Sequence, residues 1–352
     1  METQYQAYER RIDQVIEMLT KLRCETNNTP VTSDITDITF DELYQIWRKS
    51  KIDTPEIKPS TKAYYTNIYH HIQPHLGSKH ISAVKALDID QFLICKAKDL
   101  SPATVHHIYR LLNTLYRFAV DNDLTLKNTM KLTRQHRQPK TKLIPDVSYL
   151  TQDSAQKFLE ALSHAPLRWQ CFFSLLLHVG IRRGECCGLQ WGDIDFKENI
   201  IHIQRSITYT SSSGVNISAP KTENSKRVLP VPLHVMDQLF TLWIDQNKAI
   251  RTTNSHYVFH RKDDPSMPVF PSTPTTWLAR YMKSSDLPPI SPHDLRHTCG
   301  TLMIQAGASI KDVQDILGHA NATTTLNFYV GTSQKSLRDA SDKLSEALIQ
   351  SK

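Results

Sequence analysis

Apolar residues recur along most of this chain at intervals of three and four, the signature of helices that each bury one face. Ile12, Val15, Ile16, Leu19 and Leu22 form the first such set and predict a short amphipathic helix over 8–22. Asn27, Asn28, Pro30, Ser33, Asp34 and Asp37 carry no apolar period, so 26–39 reads as a tether. Between Phe40 and Asp121 one helical pattern follows another, with starts marked at Ser60-Thr61 and Ser101-Pro102. The clearest stripe is Val105, Ile108, Leu111, Leu112, Leu115 and Phe118, with His106, His107 and Arg110 outside it.

A cationic stretch then interrupts the pattern. Lys127, Lys131, Arg134, Arg137, Lys140 and Lys142 occur with no acidic residue between Asp123 and Asp146. Such a run reads as a linker that is also suited to lie along phosphates. From Tyr149 the chain is mixed. Helical patterns at 154–163 and 169–178 precede two strand-like runs, Ile200 to Ile207 and Arg227 to Val231, which bracket a polar Ser/Thr-rich loop and predict a hairpin with a long tip. Helices resume near 235–246, 275–284, 292–306, 310–317 and 325–329, and a polar helix follows over 334–350. The pattern therefore predicts a mainly α protein with a small antiparallel β-sheet.

At 352 residues the chain exceeds what one hydrophobic core usually supports, so at least two domains are expected. Forty-two Lys+Arg against 35 Asp+Glu give a net charge of +7, which favours a polyanionic partner only modestly. No stretch has the length and apolarity of a membrane span, and 1–23 is too polar for a signal peptide, so a cytoplasmic protein is expected. Cys24, Cys95, Cys171, Cys186, Cys187 and Cys299 contain no Cys-x-x-Cys pair and sit largely in helical patterns, which predicts reduced thiols and no zinc.

Three segments carry candidate chemistry. In the first, Gly180 can end one helix while the next sets Arg182 and Glu185 three residues apart on one face, where the carboxylate can hold the guanidinium. An exposed ion pair of little consequence is the plainer reading of those two residues alone. In the second, Ser291 and Pro292 are helix-start residues, which puts His293 and Arg296 in an opening turn suited to an anion. In the third, Gly318 breaks a helix ahead of His319, and Tyr329 follows ten positions later. A lone phenol with a pKa of about 10 is a poor nucleophile unless positive charge or a base stands beside it.

Taken together and in this order, Arg182, His293-x-x-Arg296, Leu317-Gly318-His319 and Tyr329 resemble the tyrosine recombinase (lambda-integrase-like) family of phage and conjugative-transposon integrases. The resemblance covers most of the chain. Thr61, Pro74-x-Leu76-Gly77 and Ser101-Pro102-x-Thr104 are similar to that family's helical core-binding domain, and the chain from Tyr149 on is similar to its mixed α/β catalytic domain. The implied layout is an N-terminal helix and tether (1–37), a SAM-like core-binding domain (38–126), a basic linker (127–148), a catalytic domain (149–332) and a C-terminal docking helix (333–352), closing as a C-shaped clamp on DNA. Ala219-Pro220-Lys221-Thr222, followed by Ser225, Arg227, Leu229 and Pro230, is similar to the segment that carries the family's active-site lysine, which implies a catalytic role for Lys221. Two departures stand out: Val179 where many members have threonine, and an N-terminal segment without a three-stranded DNA-binding module.

What the resemblance implies is a site-specific DNA recombinase working through a 3′-phosphotyrosine intermediate, with no metal and no cofactor. Arg182, Lys221, His293, Arg296, His319 and Tyr329 would be catalytic and Glu185 supporting. DNA contacts would fall on Thr61, Arg110, Lys127, Lys131, Arg134, Arg137, Lys140 and Lys142. The implied partners are a duplex core site, three further copies in a tetrameric synapse, and accessory directionality or bending proteins. A type IB topoisomerase would share the chemistry, and a DNA-binding relative without activity would share the fold. Asp193-x-Asp195 is the conspicuous carboxylate pair for a rival two-metal enzyme, although it also suits a turn before a strand.

Overall fold

The computed structural model describes residue 17 and residues 38–133, 149–218, 227–262, 264–284 and 287–318. The expected helix at 8–22, apart from residue 17, the tether up to residue 37, most of the basic linker, the Lys221 segment and everything from His319 on lie outside the described residues. The chain divides into two compact units, Met1–Lys142 and Leu143–Lys352.

The first unit is helical. It contains α1 (Phe40–Lys51), α2 (Pro59–Leu76), α3 (Ala86–Asp99) and α4 (Pro102–Asp121), followed by a short 3₁₀ turn at Thr129–Leu132. Thr39 opens α1 reciprocally: its hydroxyl accepts from the Glu42 backbone N–H at 3.3 Å, and the Glu42 carboxylate accepts from the Thr39 N–H at 2.8 Å. The stripe read from α4 is buried against Phe40, Leu43 and Ile72, and Tyr44 stacks on Tyr69 at 3.7 Å between ring centres. One expected start differs. Helix α2 begins at Pro59, not Ser60-Thr61, and no side chain caps it, because the cap position is held by Lys58, whose side chain has no acceptor.

The second unit is built around one large core. Helices α5 (Gln152–Leu162) and α6 (Leu167–Ser174) lead into a π-helical turn at Leu175–Val179, then α7 (Arg183–Cys187). The strands follow: β1 (Ile194–Asp195), β2 (Ile200–Ile203), β3 (Ser206–Thr210), β4 (Gly214–Ser218) and β5 (Arg227–Pro230). Next come α8 (Leu233–Ala249), β6 (His260–Arg261), β7 (Asp264–Pro268), α9 (Ser272–Met282), α10 (Pro292–Gln305) and α11 (Ile310–Leu317). Phe158, Phe172, Phe173 and Phe259 are fully buried here, each side chain stabilising the unit by about 1.5–3 kcal/mol. Trp169 and Trp277 stack at 5.2 Å across the same core.

The expected hairpin is present, since β2 pairs antiparallel with β5 from Ile200↔Pro230 to Ile203↔Arg227, with β1 on the other edge of β2. Its tip is richer than a polar loop. The single run Ile200 to Ile207 splits into β2 and β3, and β3 pairs with β4 in a separate two-stranded sheet. Arg205 marks the break. Its guanidinium pairs with the buried Asp193 carboxylate and donates to the Gly188 carbonyl at 3.2 Å, which holds that stretch out of the β2 ladder. The strands β6 and β7 had no signal in the apolar pattern. Cys171, Cys186, Cys187 and Cys299 are free and buried, while Cys95 is free and exposed. Among the described residues no helix is long and apolar enough to cross a membrane.

Candidate active site

Gly180 ends the π turn with φ of +69°, a conformation that a side chain disfavours. The chain leaves that bend as extended backbone, which makes Arg182 the residue that opens α7. Glu185, one turn on, is buried, and its two oxygens take four N–H donors. Oε2 accepts from the Arg182 backbone at 2.9 Å and from Arg227 Nη2 at 2.8 Å. Oε1 accepts from Arg182 Nη1 at 2.8 Å and from Arg227 Nη1 at 3.1 Å. All four acceptor positions of the carboxylate are thus filled. Burial alone would push the Glu185 carboxyl up, but the hydrogen bonds and charge of Arg227, joined by the charge of Arg182, hold it below the ordinary carboxylate value.

The C-terminus of α11 gathers the cations. Arg227 Nε donates to the Ile316 carbonyl at 2.9 Å, Arg296 Nη2 to the Leu317 carbonyl and Arg182 Nη2 to the Gly318 carbonyl. Three successive carbonyls, left without partners at the end of a helix, each receive a guanidinium from a different stretch of the chain. Gly318 turns away at φ +64°, and a Cβ there would sit 3.0 Å from Arg227 Nη1. Arg296 also donates to the Gly180 carbonyl, so it bolts the π turn to α11. Three guanidiniums against one carboxylate leave the cluster with a net charge of +2.

The three arginines differ in access. The Arg182 side chain is 39% exposed and that of Arg227 8%, while Arg296 is 3% exposed as a residue. Arg296 therefore lies inside the molecule, not at the open helix start its sequence position suggests. Burial, followed by the like charge of Arg182, pulls it down to about 9.

Ser291 caps α10 as expected, its hydroxyl accepting from the Asp294 N–H at 3.3 Å and its own N–H donating to the Asp294 carboxylate at 2.8 Å. His293 is exposed on the first turn. Its Nε2 lies 3.0 Å from Nε2 of His297, a distance at which one ring donates to the other's lone pair. Desolvation and then the charge of Arg296 lower His293 below its ordinary value, and desolvation with the charge of His293 takes His297 down to about 4. Both shifts favour the neutral imidazole at pH 7 and weaken the ring as a base.

Arg182, Glu185 and Arg296 are thus in one connected cluster, with His293 one turn from Arg296 on α10. Lys221, His319, Tyr329, Arg134, Arg137, Lys140 and Lys142 lie outside the described residues. Arg110, Lys127 and Lys131 are exposed and Thr61 is half-buried, all four in the first unit. The rival carboxylates are already engaged: Asp193 by Arg205, and Asp195 Oδ1 by the N–H groups of Lys197 and Glu198 at 2.9 and 3.0 Å.

Arg227 and His297 were not singled out from the sequence. A signal for Arg227 was present in the strand period, since Leu229 is the buried residue of β5 and residues two apart share a face. An arginine on that inward face needs a buried acid. His297 stands four residues after His293 on a helix, the spacing at which side chains meet.

Residues 148–335 match the phage integrase family, and residues 39–94 match the N-terminal SAM-like domain of phage integrases. The chain is 27% identical over 344 residues to the XerC-like tyrosine recombinase of Caldanaerobacter subterraneus subsp. tengcongensis, covering 90% of this chain and 85% of that protein. It is 26% identical over 347 residues to the ICEBs1 integrase of Bacillus subtilis, with 95% and 90% covered. Among solved structures, the Tn1549 transposon integrase in complex with transposon right end DNA superposes with a TM-score of 0.74 at 25% identity, covering 88% of this chain and 100% of that one. A lambda integrase dimer bound to a COC′ core site shares the fold at a TM-score of 0.63 and 20% identity, with 91% and 86% covered. With more than half its length inside the first match, the chain belongs to the phage integrase family and is a tyrosine recombinase, an enzyme of DNA strand exchange.

Proposed function

We propose that the protein is a site-specific integrase that binds duplex DNA and moves its strands through a covalent bond between Tyr329 and a 3′-phosphate. The observation that carries this reading is the cluster at the end of α11, a net charge of +2 with one guanidinium reaching solvent. A phosphodiester under attack changes from one negative charge to two as the five-coordinate transition state forms, so a fixed charge of that size and sign stabilises the transition state more than the ground state.

In the proposed cleavage the Tyr329 oxygen bonds to phosphorus and the bond to the 5′-oxygen breaks. The phenol proton passes to His293, and Lys221 supplies a proton to the departing 5′-oxygen. Arg182 meets the non-bridging oxygens directly, Arg296 adds charge from beneath, and His319 donates to the same phosphate. The phosphotyrosine bond keeps the energy of the broken diester, so the 5′-hydroxyl of a partner duplex can reverse the step. Residues 38–126, with Thr61 and Arg110, and the strap with Lys127, Lys131, Arg134, Arg137, Lys140 and Lys142 hold the duplex. Four protomers act on two duplexes, and residues 333–352 dock between neighbours. Support for a DNA substrate comes from the Tn1549 integrase, solved with its transposon end.

The test is a suicide substrate nicked beside the scissile phosphate, which traps the covalent species. The wild-type chain forms a protein–DNA adduct in excess EDTA, and Tyr329→Phe forms none. Adducts that persist in Tyr329→Phe would overturn the assignment.

A further inference from the structure

We propose that Arg227 is a positioning residue for strand cleavage, acting through Glu185 on Arg182, an inference that rests on the recombinase reading above. Its guanidinium is buried and spans two elements. Nη1 and Nη2 hold both oxygens of Glu185, and Nε holds the Ile316 carbonyl.

The consequence for Arg182 is geometric and electrostatic. Without Arg227, the Glu185 carboxylate would have two unfilled acceptor positions in a buried setting, and it would turn toward Arg182, the one guanidinium still bonded to it. That motion takes Arg182 with it, since the Arg182 backbone and Nη1 are both tied to the same carboxylate. It would also leave Arg182 neutralised by a whole carboxylate instead of sharing one. Displacing a catalytic group by about 1 Å costs on the order of 100-fold in rate.

Arg227 occupies a junction as well. It is the first residue of β5, at the exit of the segment 219–226 that contains Lys221, and it faces Ile203 across the sheet. Through Ile316 it holds the end of α11, from which the chain departs toward His319 and Tyr329. One side chain thus ties the root of the lysine segment and the root of the tyrosine segment to the exposed arginine. A lysine at 227 keeps the charge but cannot hold both Glu185 oxygens and the Ile316 carbonyl in one planar fork.

The experiment is a double-mutant cycle on single-turnover adduct formation with the full chain and the nicked suicide substrate, run at a temperature where each variant's melting curve shows it folded. Arg227→Lys is expected to bind the duplex within a few-fold of wild type and to cleave about 10- to 100-fold more slowly. Arg182→Lys slows cleavage further, and Arg182→Lys/Arg227→Lys is expected to be no slower than Arg182→Lys alone, because the second change has nothing left to position. Arg227→Gln, which retains one donor toward Glu185, serves as the second variant and follows the same non-additive pattern. Wild-type cleavage by Arg227→Lys, or losses that multiply in the double variant, overturns the inference. A wild-type chain that forms no tyrosine-linked adduct overturns the recombinase reading instead.

Discussion

Gly180→Ala tests whether the bend ahead of Arg182 is held as tightly as its surroundings indicate. Two separate terms oppose an alanine there. At φ +69° an L-residue is disfavoured by roughly 1–2 kcal/mol. The new Cβ would also stand 2.6 Å from Leu317 Cδ2 and 3.1 Å from Cys299 Sγ, an overpacking that costs about 1–3 kcal/mol. The sum, about 2–5 kcal/mol, corresponds to a melting temperature lower by about 5–15 °C for a unit of this size. Urea unfolding followed by tryptophan fluorescence is weighted toward the second unit, which holds Trp169, Trp191, Trp243 and Trp277, while the first holds Trp47 alone; Trp47→Phe makes the signal selective. The two terms separate in a double-mutant cycle. Leu317→Ala removes the near atom, so it should destabilise the Gly180→Ala background by about 1–3 kcal/mol less than it destabilises wild type. Additive effects, or a loss under about 1 kcal/mol for Gly180→Ala, would refute the packing of the π turn against α11 described here.

Two further outcomes are expected. His178 lies in the π turn with Nε2 3.5 Å from that of His234, and desolvation followed by the charge of His234 lowers it to about 4. Between pH 6.5 and about 4 the unfolded histidine binds a proton that the folded one refuses, so stability falls as pH is lowered through that window, by about 2 kcal/mol after allowance for partial exposure. His178→Gln should flatten that part of the pH–stability curve, and unchanged slopes in urea midpoints would dismiss the account. Asp193→Asn leaves Arg205 without its anion and should destabilise the second unit by about 3 kcal/mol, while the folded variant retains adduct formation. Lost cleavage with unchanged stability would instead give Asp193 a chemical role.

What could be read in advance follows from where the determinants lie in the chain. Ser291-Pro292, Gly180 and Gly318 act on their immediate neighbours, and α10, the π-turn exit and the end of α11 fall where those residues place them. The Arg182–Glu185 pair was legible because helical spacing brings residues three apart together. The separate β3–β4 sheet was not, since its cause is the side chain of Arg205 meeting Asp193 twelve residues earlier. Nor was the burial of Arg296, whose acceptors at Gly180 and Leu317 lie 116 and 21 residues away in the chain. The inward face of Arg227 was legible from the strand period, but what it meets there was not. Its partner is a carboxylate 42 residues upstream, and a single-residue pattern carries no record of such a partner.

Like charges held this close in a poorly solvated place repel one another, and the affinity of Arg296 for its proton is lowered first by burial and then by the charge of Arg182. The fold tolerates it through a shared acid and three helix-end carbonyls, which offset it only in part. An anion that settles against the exposed Arg182 offsets part of the remainder, and a ligand that binds only the folded chain stabilises it. On the function proposed above, the scissile phosphate is therefore also a counter-ion for the cluster that positions it.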